Sequence, residues 1–350
     1  MLRRSLKVWI IIRILASRHT FIISEQSSVI SSKSFIFAGF KMIGMEKGVV
    51  IKSTGNNYWV RKENGELAEC RIRGKFRLQG IRTTNPIAVG DVVTLEKSNE
   101  GYVITHIGER RNYIIRKSTN LSKEAHIIAS NVDQAFLITT INYPETSTVF
   151  IDRFLATTEA YNIPALLLFN KVDLYNETDR AKLNYYTAVY TRIGYTCLAV
   201  SAITGENMDL LKQLLQNKTS VFSGISGVGK STLINSIEPD LNLKTALISE
   251  AHHTGKHTTT FAEMFPLSNG GFIVDTPGLR SFGMIDMKKE EISHFFPEIF
   301  RISAKCRFYN CTHIHEPGCA VLEALQTGEI SDSRYWSYLS MMEENGEKYR

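Results

Sequence analysis

Three short motifs stand in this chain in an order that restricts how it can fold. Residues 170–173 read N-K-V-D, residues 224–231 read G-I-S-G-V-G-K-S, and residues 275–278 read D-T-P-G. The middle motif lies between an apolar run and a helical pattern, which indicates a strand, a loop and a helix in succession. Strands that alternate with helices build mostly parallel sheets covered on both faces. The chain therefore needs an α/β domain whose glycine-rich loop lies well inside the sequence.

The loop at 224–231 has the chemistry of a phosphate-binding site. Glycines let backbone N–H groups wrap the phosphates, Lys230 supplies a positive charge to the β- and γ-phosphates, and the Ser231 hydroxyl binds Mg²⁺. Asp275 ends an apolar run, where an aspartate that binds Mg²⁺ is expected, and the Gly278 N–H can face the γ-phosphate. The predicted loop ligands are Gly224, Ile225, Ser226, Gly227, Val228, Gly229, Lys230, Ser231 and Thr232.

The first motif favours guanine over adenine as the base. A carboxylate at Asp173 accepts hydrogen bonds from both the N1–H and the N2–H₂ groups of guanine, and adenine presents no such pair of donors. Lys171 can lay its aliphatic stem along the base, while Asn170 braces neighbouring loops. Ser201 and Ala202 follow, and we expect them to place a backbone N–H near the guanine O6 atom. The predicted ligand is GTP or GDP, and an ATP-dependent P-loop enzyme is the alternative.

This motif order resembles that of the circularly permuted GTPases, and within them that of the small-ribosomal-subunit-dependent RsgA (YjeQ) family. The resemblance covers about residues 45–345 and includes GKHTTT at 255–260, FPE at 296–298, CRFYNCTH at 306–313 and EPGC at 316–319. It implies a cytoplasmic monomer that hydrolyses GTP, with Mg²⁺, to GDP and phosphate. It also implies binding to the small (30S) ribosomal subunit and its 16S rRNA during late assembly, with hydrolysis stimulated by the subunit.

The motifs do not reveal which residue orients the attacking water. Ras-like enzymes carry a glutamine directly after the D-x-x-G glycine, whereas this chain has Leu279 there. The segment 255–260 lies between the phosphate loop and the D-T-P-G motif, as a switch that contacts the γ-phosphate should. We expect Thr258 or Thr259 to bind Mg²⁺ in the GTP state, and our hypothesis is that His257 positions the water once a partner orders this loop. The alternative is a GTP-regulated RNA-binding scaffold with negligible hydrolysis.

The chain divides by pattern into an extension and three domains. Residues 45–115 contain five short alternating runs between turn signals, which favour an all-β OB-fold barrel, with an SH3-like barrel as the competing fold. We expect residues 116–285 to form a circularly permuted GTPase domain and residues 286–350 a short helical zinc-binding domain. Residues 1–44 are Ser-rich and nearly free of acids. We interpret them as the product of a start codon placed ahead of the true start at Met45. The alternatives are a transit-type presequence and a membrane-surface anchor or signal peptide.

Apolar runs place the secondary structure of the central domain. The predicted strands are at 132–140, 165–169, 221–223 and 272–274, and the predicted helices are at 150–161 and 230–237.

Three cysteines and a histidine cluster near the C-terminus. Cys306, Cys311, His313 and Cys319 supply three thiolates and one imidazole, a closed set that suits a structural, tetrahedral Zn²⁺. The family resemblance supports this set, and His315 is the alternative fourth ligand. A metal would stabilise a segment that is too short to bury a large core. A metal cluster rather than disulfides also indicates a reducing compartment.

The positive charge of the chain is unevenly distributed. Residues 1–44 hold seven of the 41 Lys and Arg residues and one of the 35 acids, so 34 of each remain and balance in the rest of the chain. A nucleic-acid surface must therefore come from a local cluster. No stretch reaches the ~20 apolar residues that span a bilayer, so we expect no membrane partner.

One such basic cluster lies in the predicted barrel. The segment 71–82 has five cations and no acid. On a barrel strand and its loop, this composition predicts an RNA-backbone surface with a stacking aromatic, and the plain alternative is a solvated charged strand. The predicted RNA contacts are Arg71, Arg73, Lys75, Phe76, Arg77 and Arg82.

Overall fold

A barrel, an α/β sheet and a group of short helices follow one another along the chain. They are seen in a computed structural model that describes residues 45–55, 57–72, 86–98, 101–117, 125–241, 262–275 and 287–347. The extension at 1–44 lies outside the described residues. Within these ranges, no helix has the length and apolar character needed to cross a bilayer.

The described part of the barrel has five strands. They are β1 (Met45–Ser53), β2 (Tyr58–Lys62), β3 (Leu67–Ile72), β4 (Val92–Ser98) and β5 (Gly101–Ile107). Antiparallel pairs join β1 to β2, β2 to β3, β4 to β5 and β1 to β4, while β3 and β5 are parallel. The strands close in the order β1-β2-β3-β5-β4 around fully buried residues such as Val50, Val60 and Ile104. Because this closed order is not a simple meander, it confirms the OB-fold over the SH3-like alternative.

A hairpin and a mostly parallel sheet follow the barrel. The hairpin pairs β6 (Tyr113–Lys117) with β7 (Ala125–Ser130). The sheet contains β8 (Gln134–Thr139), β9 (Ala165–Phe169), β10 (Thr196–Ala199), β11 (Thr219–Ser223), β12 (Glu263–Pro266) and β13 (Phe272–Asp275). Its order is β10-β9-β8-β11-β13-β12, and among the described strands of this sheet only the last, β12, is antiparallel to its neighbour. On its other side β12 pairs with β1 at Lys52 and Glu263, so the sheet continues into the barrel.

Helices cover both faces of the parallel sheet. They are α1 (Thr148–Ala160), α2 (Glu177–Ile193), α3 (Met208–Leu215) and α4 (Lys230–Ile237). Side chains alternate along the central strand β8, so Ala135 and Leu137 belong to one buried cluster with α1 and α2. Phe136 and Ile138 belong to a second cluster with α3 and α4. All six residues of β8 are buried, as is typical of a central strand in a parallel sheet.

The C-terminal module is helical, as predicted, and packs against α1. Its helices are α5 (Lys289–Ile292), α6 (Pro297–Ser303), α7 (Ala320–Gln326) and α8 (Asp332–Glu347). Their buried cluster includes Phe296 and Tyr338, and it extends to Ala156 of α1. Arg334 of α8 is completely buried and forms salt bridges to Asp152 of α1 (2.8 Å) and Glu298 of α6 (2.7 Å). The module is therefore joined to helix α1 of the α/β domain by both apolar and ionic contacts.

Candidate functional site

The predicted nucleotide motifs meet at one edge of the parallel sheet. β8 lies between β9 and β11 and is parallel to both, with Ile138 paired to Leu168 and Phe136 to Phe222. The carboxyl ends of parallel strands lie at the same edge, where ligands bind in open α/β sheets. The loop after β9 carries the N-K-V-D motif, and the loop after β11 is the glycine-rich loop. Motifs far apart in the chain are thus adjacent in the fold.

The glycine-rich loop turns directly into helix α4. Gly229 has a φ of 93° and precedes the first helical residue, Lys230, so the free N–H groups of the helix N-terminus open onto the loop. A Cβ atom at Gly224 would lie 2.4 Å from a carbonyl oxygen of β8, and one at Gly229 would lie 2.6 Å from Asn170 Nδ2. Lys230 Nζ donates to the carbonyl oxygens of Gly224 (2.6 Å) and Ile225 (2.8 Å), which keeps its charge inside the loop.

The other residues of this motif differ in how far they are exposed to solvent. Ser226 and Gly227 are exposed at its tip, whereas Val228 is fully buried in the core. In the first turn of α4, Ser231 is buried and Thr232 is partly exposed. Val228 thus anchors the loop while the backbone at the tip stays open to a ligand.

Side chains tie the base-reading loop to the phosphate loop. Asn170 Nδ2 donates to the carbonyl oxygen of Val228 (2.8 Å), as expected of a residue that braces neighbouring loops. Lys171 Nζ donates to the carbonyl oxygen of Gly227 (2.6 Å). Lys171 itself has a φ of 63°, in the left-handed region, and the short 3-10 turn Val172–Leu174 follows it. The loops predicted to bind base and phosphate are therefore held at a fixed separation.

Ser201, from the second predicted part of the base-reading site, holds the Asp173 side chain. Its Oδ1 accepts a hydrogen bond from Ser201 Oγ (2.6 Å), and that hydroxyl oxygen accepts the N–H groups of Ile203 (3.3 Å) and Thr204 (3.1 Å). Ser201 is buried, Ala202 beside it is partly exposed, and Asp173 is exposed. An exposed carboxylate oriented by a buried hydroxyl suits the pairing with guanine donors that the sequence predicts.

Several predicted site residues lie outside the described residues. They are His257, Thr258, Thr259 and Gly278. Asp275 ends β13, which runs parallel to β11, so its backbone reaches the sheet edge that carries the predicted phosphate loop. The roles of these five residues stay predictions.

The four predicted metal ligands form one cluster in the C-terminal module. The ligand atoms of Cys306, Cys311, His313 and Cys319 all lie within 4.8 Å of one another. Cys306 Sγ is 3.9 Å from Cys319 Sγ, and His313 Nδ1 lies 3.7 Å and 3.5 Å from these two atoms. A tetrahedral ion with Zn–S bonds of about 2.3 Å requires sulfur–sulfur edges of about 3.8 Å and sulfur–nitrogen edges of about 3.5 Å. The separations among Cys306, His313 and Cys319 therefore fit a metal ion of that size, and Cys311 lies within 4.8 Å of all three.

The structure distinguishes the two histidines considered as the fourth ligand. His313 is buried within the cluster, whereas His315 is exposed and not part of it. Two tyrosines of α8 support the ligand loop, since Tyr335 donates its hydroxyl to the His313 carbonyl oxygen (2.7 Å) and Tyr338 to that of Thr312 (2.7 Å). The loop geometry thus favours His313.

Comparisons with known proteins match most of the chain to a single family. The RsgA N-terminal domain matches residues 47–103, and the RsgA GTPase matches residues 107–285. The small ribosomal subunit biogenesis GTPase RsgA of Bacteroides fragilis (strain YCH46) is 56% identical over 306 residues, which cover 87% of this chain and 99% of that protein. The protein of the same name from Porphyromonas gingivalis (strain ATCC 33277) is 56% identical over 310 residues, covering 87% and 98%. The chain belongs to the RsgA GTPase family.

Solved structures similar to this RsgA-family chain have the same architecture. YjeQ from Thermotoga maritima matches with a TM-score of 0.70 and 36% identity, over 86% of this chain and 98% of that one. YloQ, described as a circularly permuted GTPase, matches with a TM-score of 0.69 and 31% identity, over 88% and 98%. These matches confirm the predicted family, its permuted order and its GTP hydrolase class. Membership of a GTPase family also implies that Mg²⁺ binds with GTP.

Two groups in this RsgA-family chain escaped the sequence analysis. One is Tyr175, whose hydroxyl contacts both Ile141 in the loop after β8 and Asn170 of the N-K-V-D motif. The other is the buried pairing of Arg334 with Asp152. Neither group has a spacing or periodicity that sequence reading detects, because each joins elements only in the folded chain. Of the six predicted RNA contacts, Arg71 lies exposed on β3, and the other five fall outside the described residues.

Proposed function

We propose that this protein binds the small ribosomal subunit and hydrolyses GTP to GDP and phosphate during late assembly of that subunit. The observation that carries the proposal is the junction of base-reading and phosphate loops through Asn170 and Lys171. It occurs in a chain whose relatives are named small ribosomal subunit biogenesis GTPases. In this proposal the barrel and the metal module, one on each side of the permuted GTPase domain, bind the subunit.

Two exposed surfaces support contact with 16S rRNA. Arg71 begins the basic segment on the barrel. On the C-terminal module Phe308 and Tyr309 are exposed, and the Arg307 guanidinium lies over the Phe308 ring at 5.4 Å from its centroid. Aromatic rings beside cations suit unstacked RNA bases and the phosphate backbone. The protein would act in the cytoplasm, as a monomer on the subunit.

The proposed metal is one structural Zn²⁺. Its ligands would be Cys306, Cys311, His313 and Cys319, and the separations among Cys306, His313 and Cys319 fit a tetrahedral ion. A closed set of four protein ligands keeps no position for a substrate or water, so the ion would hold the loop and take no part in hydrolysis.

The proposed roles at the nucleotide follow the chemistry of each group. Lys230 neutralises the β- and γ-phosphates, while Ser231 and Asp275 bind the Mg²⁺ that accompanies GTP. Thr258 or Thr259 completes the Mg²⁺ ligands in the GTP state, and the Gly278 N–H faces the γ-phosphate. His257 positions the attacking water when the subunit orders its segment.

The test is GTP turnover with and without purified small subunits, with large subunits as the control. Turnover alone is expected to be slow, on the order of 10⁻⁴ to 10⁻² s⁻¹, and to rise when small subunits are added. His257→Ala is expected to remove the stimulation without changing GTP affinity, whereas His253→Ala, just before the segment 255–260, should keep it. Turnover that small subunits leave unchanged would favour the alternative of a GTP-regulated RNA-binding scaffold.

A further inference from the structure

The loop at 140–147 lies beside the nucleotide site, although no nucleotide motif includes it. It follows β8, the strand between the one that carries the base-reading loop and the one that carries the phosphate loop. The loop is closed on itself, because Thr146 N–H donates to the Thr140 carbonyl oxygen (3.0 Å) and Thr140 N–H donates to Thr146 Oγ1 (3.2 Å). A loop closed in this way gives its neighbours a fixed support.

This loop contacts the base-reading lysine directly. The Tyr143 carbonyl oxygen accepts a hydrogen bond from Lys171 Nζ at 2.8 Å, and the Gly227 carbonyl oxygen accepts from the same ammonium group at 2.6 Å. Tyr143 has a φ of 60°, a left-handed conformation that is rare for a bulky residue. Such conformations persist where the surroundings impose them and are concentrated at functional sites. Lys171 is thus held between two carbonyl groups that belong to different loops.

Tyr175 supplies a second connection between the same elements. Its buried hydroxyl donates to the Asn170 carbonyl oxygen (2.8 Å) and accepts the Ile141 N–H (2.9 Å). Burial raises the pKa of Tyr175 to about 12, so the hydroxyl keeps its proton and remains a donor at neutral pH. A single hydroxyl therefore bridges the first residue of the N-K-V-D motif and the loop after β8.

We propose that Tyr175 is a positioning residue for guanine recognition, which it serves by fixing the base-reading loop against the loop at 140–147. The proposal rests on the nucleotide site proposed above. Asp173 lies two residues before Tyr175 in the chain, and it can read guanine only while its loop keeps its place relative to the bound phosphates. The phosphate loop has its own anchors in Val228 and Lys230. Loss of the bridge should therefore weaken recognition of the base and leave phosphate binding intact.

The test compares the dissociation constants of Mg²⁺-GDP and Mg²⁺-ADP for the full chain. The ratio of the two constants measures base recognition, and it does not depend on the fraction of protein that is folded. Tyr175→Phe is expected to lower the ADP-to-GDP ratio by about three- to tenfold, the factor that corresponds to one ordinary hydrogen bond. The change should come from weaker GDP binding, with ADP binding unchanged. An unaltered ratio would overturn the proposal.

Tyr161→Phe is the matched control. The Tyr161 hydroxyl also bridges a backbone pair, donating to the Ile115 carbonyl oxygen (3.2 Å) and accepting the Ile115 N–H (3.2 Å), but it lies beyond the far end of α1. Its removal should leave the ratio unchanged. An equal decrease in both variants would show a general loss of packing and would overturn the assignment to Tyr175.

Two further variants keep the outcome decisive. Asp173→Asn must itself lower the ADP-to-GDP ratio, and if it does not, the proposed base site is wrong whatever Tyr175 does. If Tyr175→Phe does not fold, Thr146→Val replaces it, since it removes the hydroxyl that accepts the Thr140 N–H. It should lower the ratio in the same direction, and an unchanged ratio in that variant would count against the proposal.

Discussion

Replacing Arg334 with methionine is expected to release the C-terminal module from the GTPase sheet. The guanidinium is completely buried and donates from Nη1 to Asp152 of α1 (2.8 Å), and from Nε (2.7 Å) and Nη2 (3.2 Å) to Glu298 of α6. It also lies over the Phe296 ring, 4.4 Å from its centroid. Methionine would keep much of the packing but would leave two buried carboxylates without their cation.

The expected magnitude follows from the burial of these charges. Removing one partner of a buried ion pair costs about 3–5 kcal/mol, because the remaining charge has neither water nor its partner. That is a large share of the total stability of a domain, which is about 5–15 kcal/mol. Asp152→Asn should be milder, at about 1 kcal/mol. The reason is that the cluster holds two carboxylates for one guanidinium. Burial raises the pKa of Asp152, which means that its negative charge is costly to bury, so replacing that carboxylate with a neutral amide removes part of this cost.

The assay is urea unfolding of the full chain with Mg²⁺-GDP, followed by far-UV circular dichroism. Arg111→Met is the matched control, because Arg111 pairs with Asp133 at 2.7 Å while 64% of its side chain is exposed. An exposed pair of this kind is worth at most about 1 kcal/mol. A loss at Arg334 no larger than that at Arg111 would refute the reasoning from burial. A larger loss for Asp152→Asn than for Arg334→Met would refute the reasoning from net charge.

Three further predictions concern the metal, the base and the barrel. Bound zinc, measured by metal analysis, should fall from one ion per chain to nearly none in His313→Ala and stay near one in His315→Ala. Asp173→Asn should shift preference from GTP toward XTP in nucleotide competition, and an unchanged preference would remove Asp173 from base recognition. The salt bridge from Lys62 (2.9 Å) lowers the pKa of Glu66, so its stabilisation is present above the unfolded carboxyl pKa and disappears as pH falls through the folded one. The melting temperature of the native protein should therefore exceed that of Glu66→Gln at pH 7, and this difference should vanish in acid.

Local patterns predicted much of the central domain. The strand at 165–169 and the helix at 230–237 have the bounds that their apolar runs and the glycine-rich loop indicated. These elements are continuous in sequence, so their periodicity and end signals lie within a few residues of one another. The hairpin β6–β7 and the edge strand β12 escaped prediction. Both are short, and their pairing partners rather than their own composition place them.

The predicted nucleotide and metal ligands could be named from sequence because their chemistry is concentrated in short motifs. A phosphate loop or a Cys-rich loop supplies several donors from neighbouring positions, so the spacing itself is informative. The sequence analysis named His313 and kept His315 as the alternative, and burial in the fold supports His313.

The sequence alone therefore determined which nucleotide this protein binds and in which order its motifs run. Tertiary structure decided what holds those motifs in place. The Tyr175 hydroxyl reaches Ile141 across 34 positions of the chain, and Arg334 reaches Asp152 across 182. Hydrogen bonds and buried ion pairs of this kind depend on the positions of atoms after folding, and no periodicity in the chain encodes them. The permuted motif order is readable from the chain itself, whereas the contacts that support each motif exist only in the folded protein.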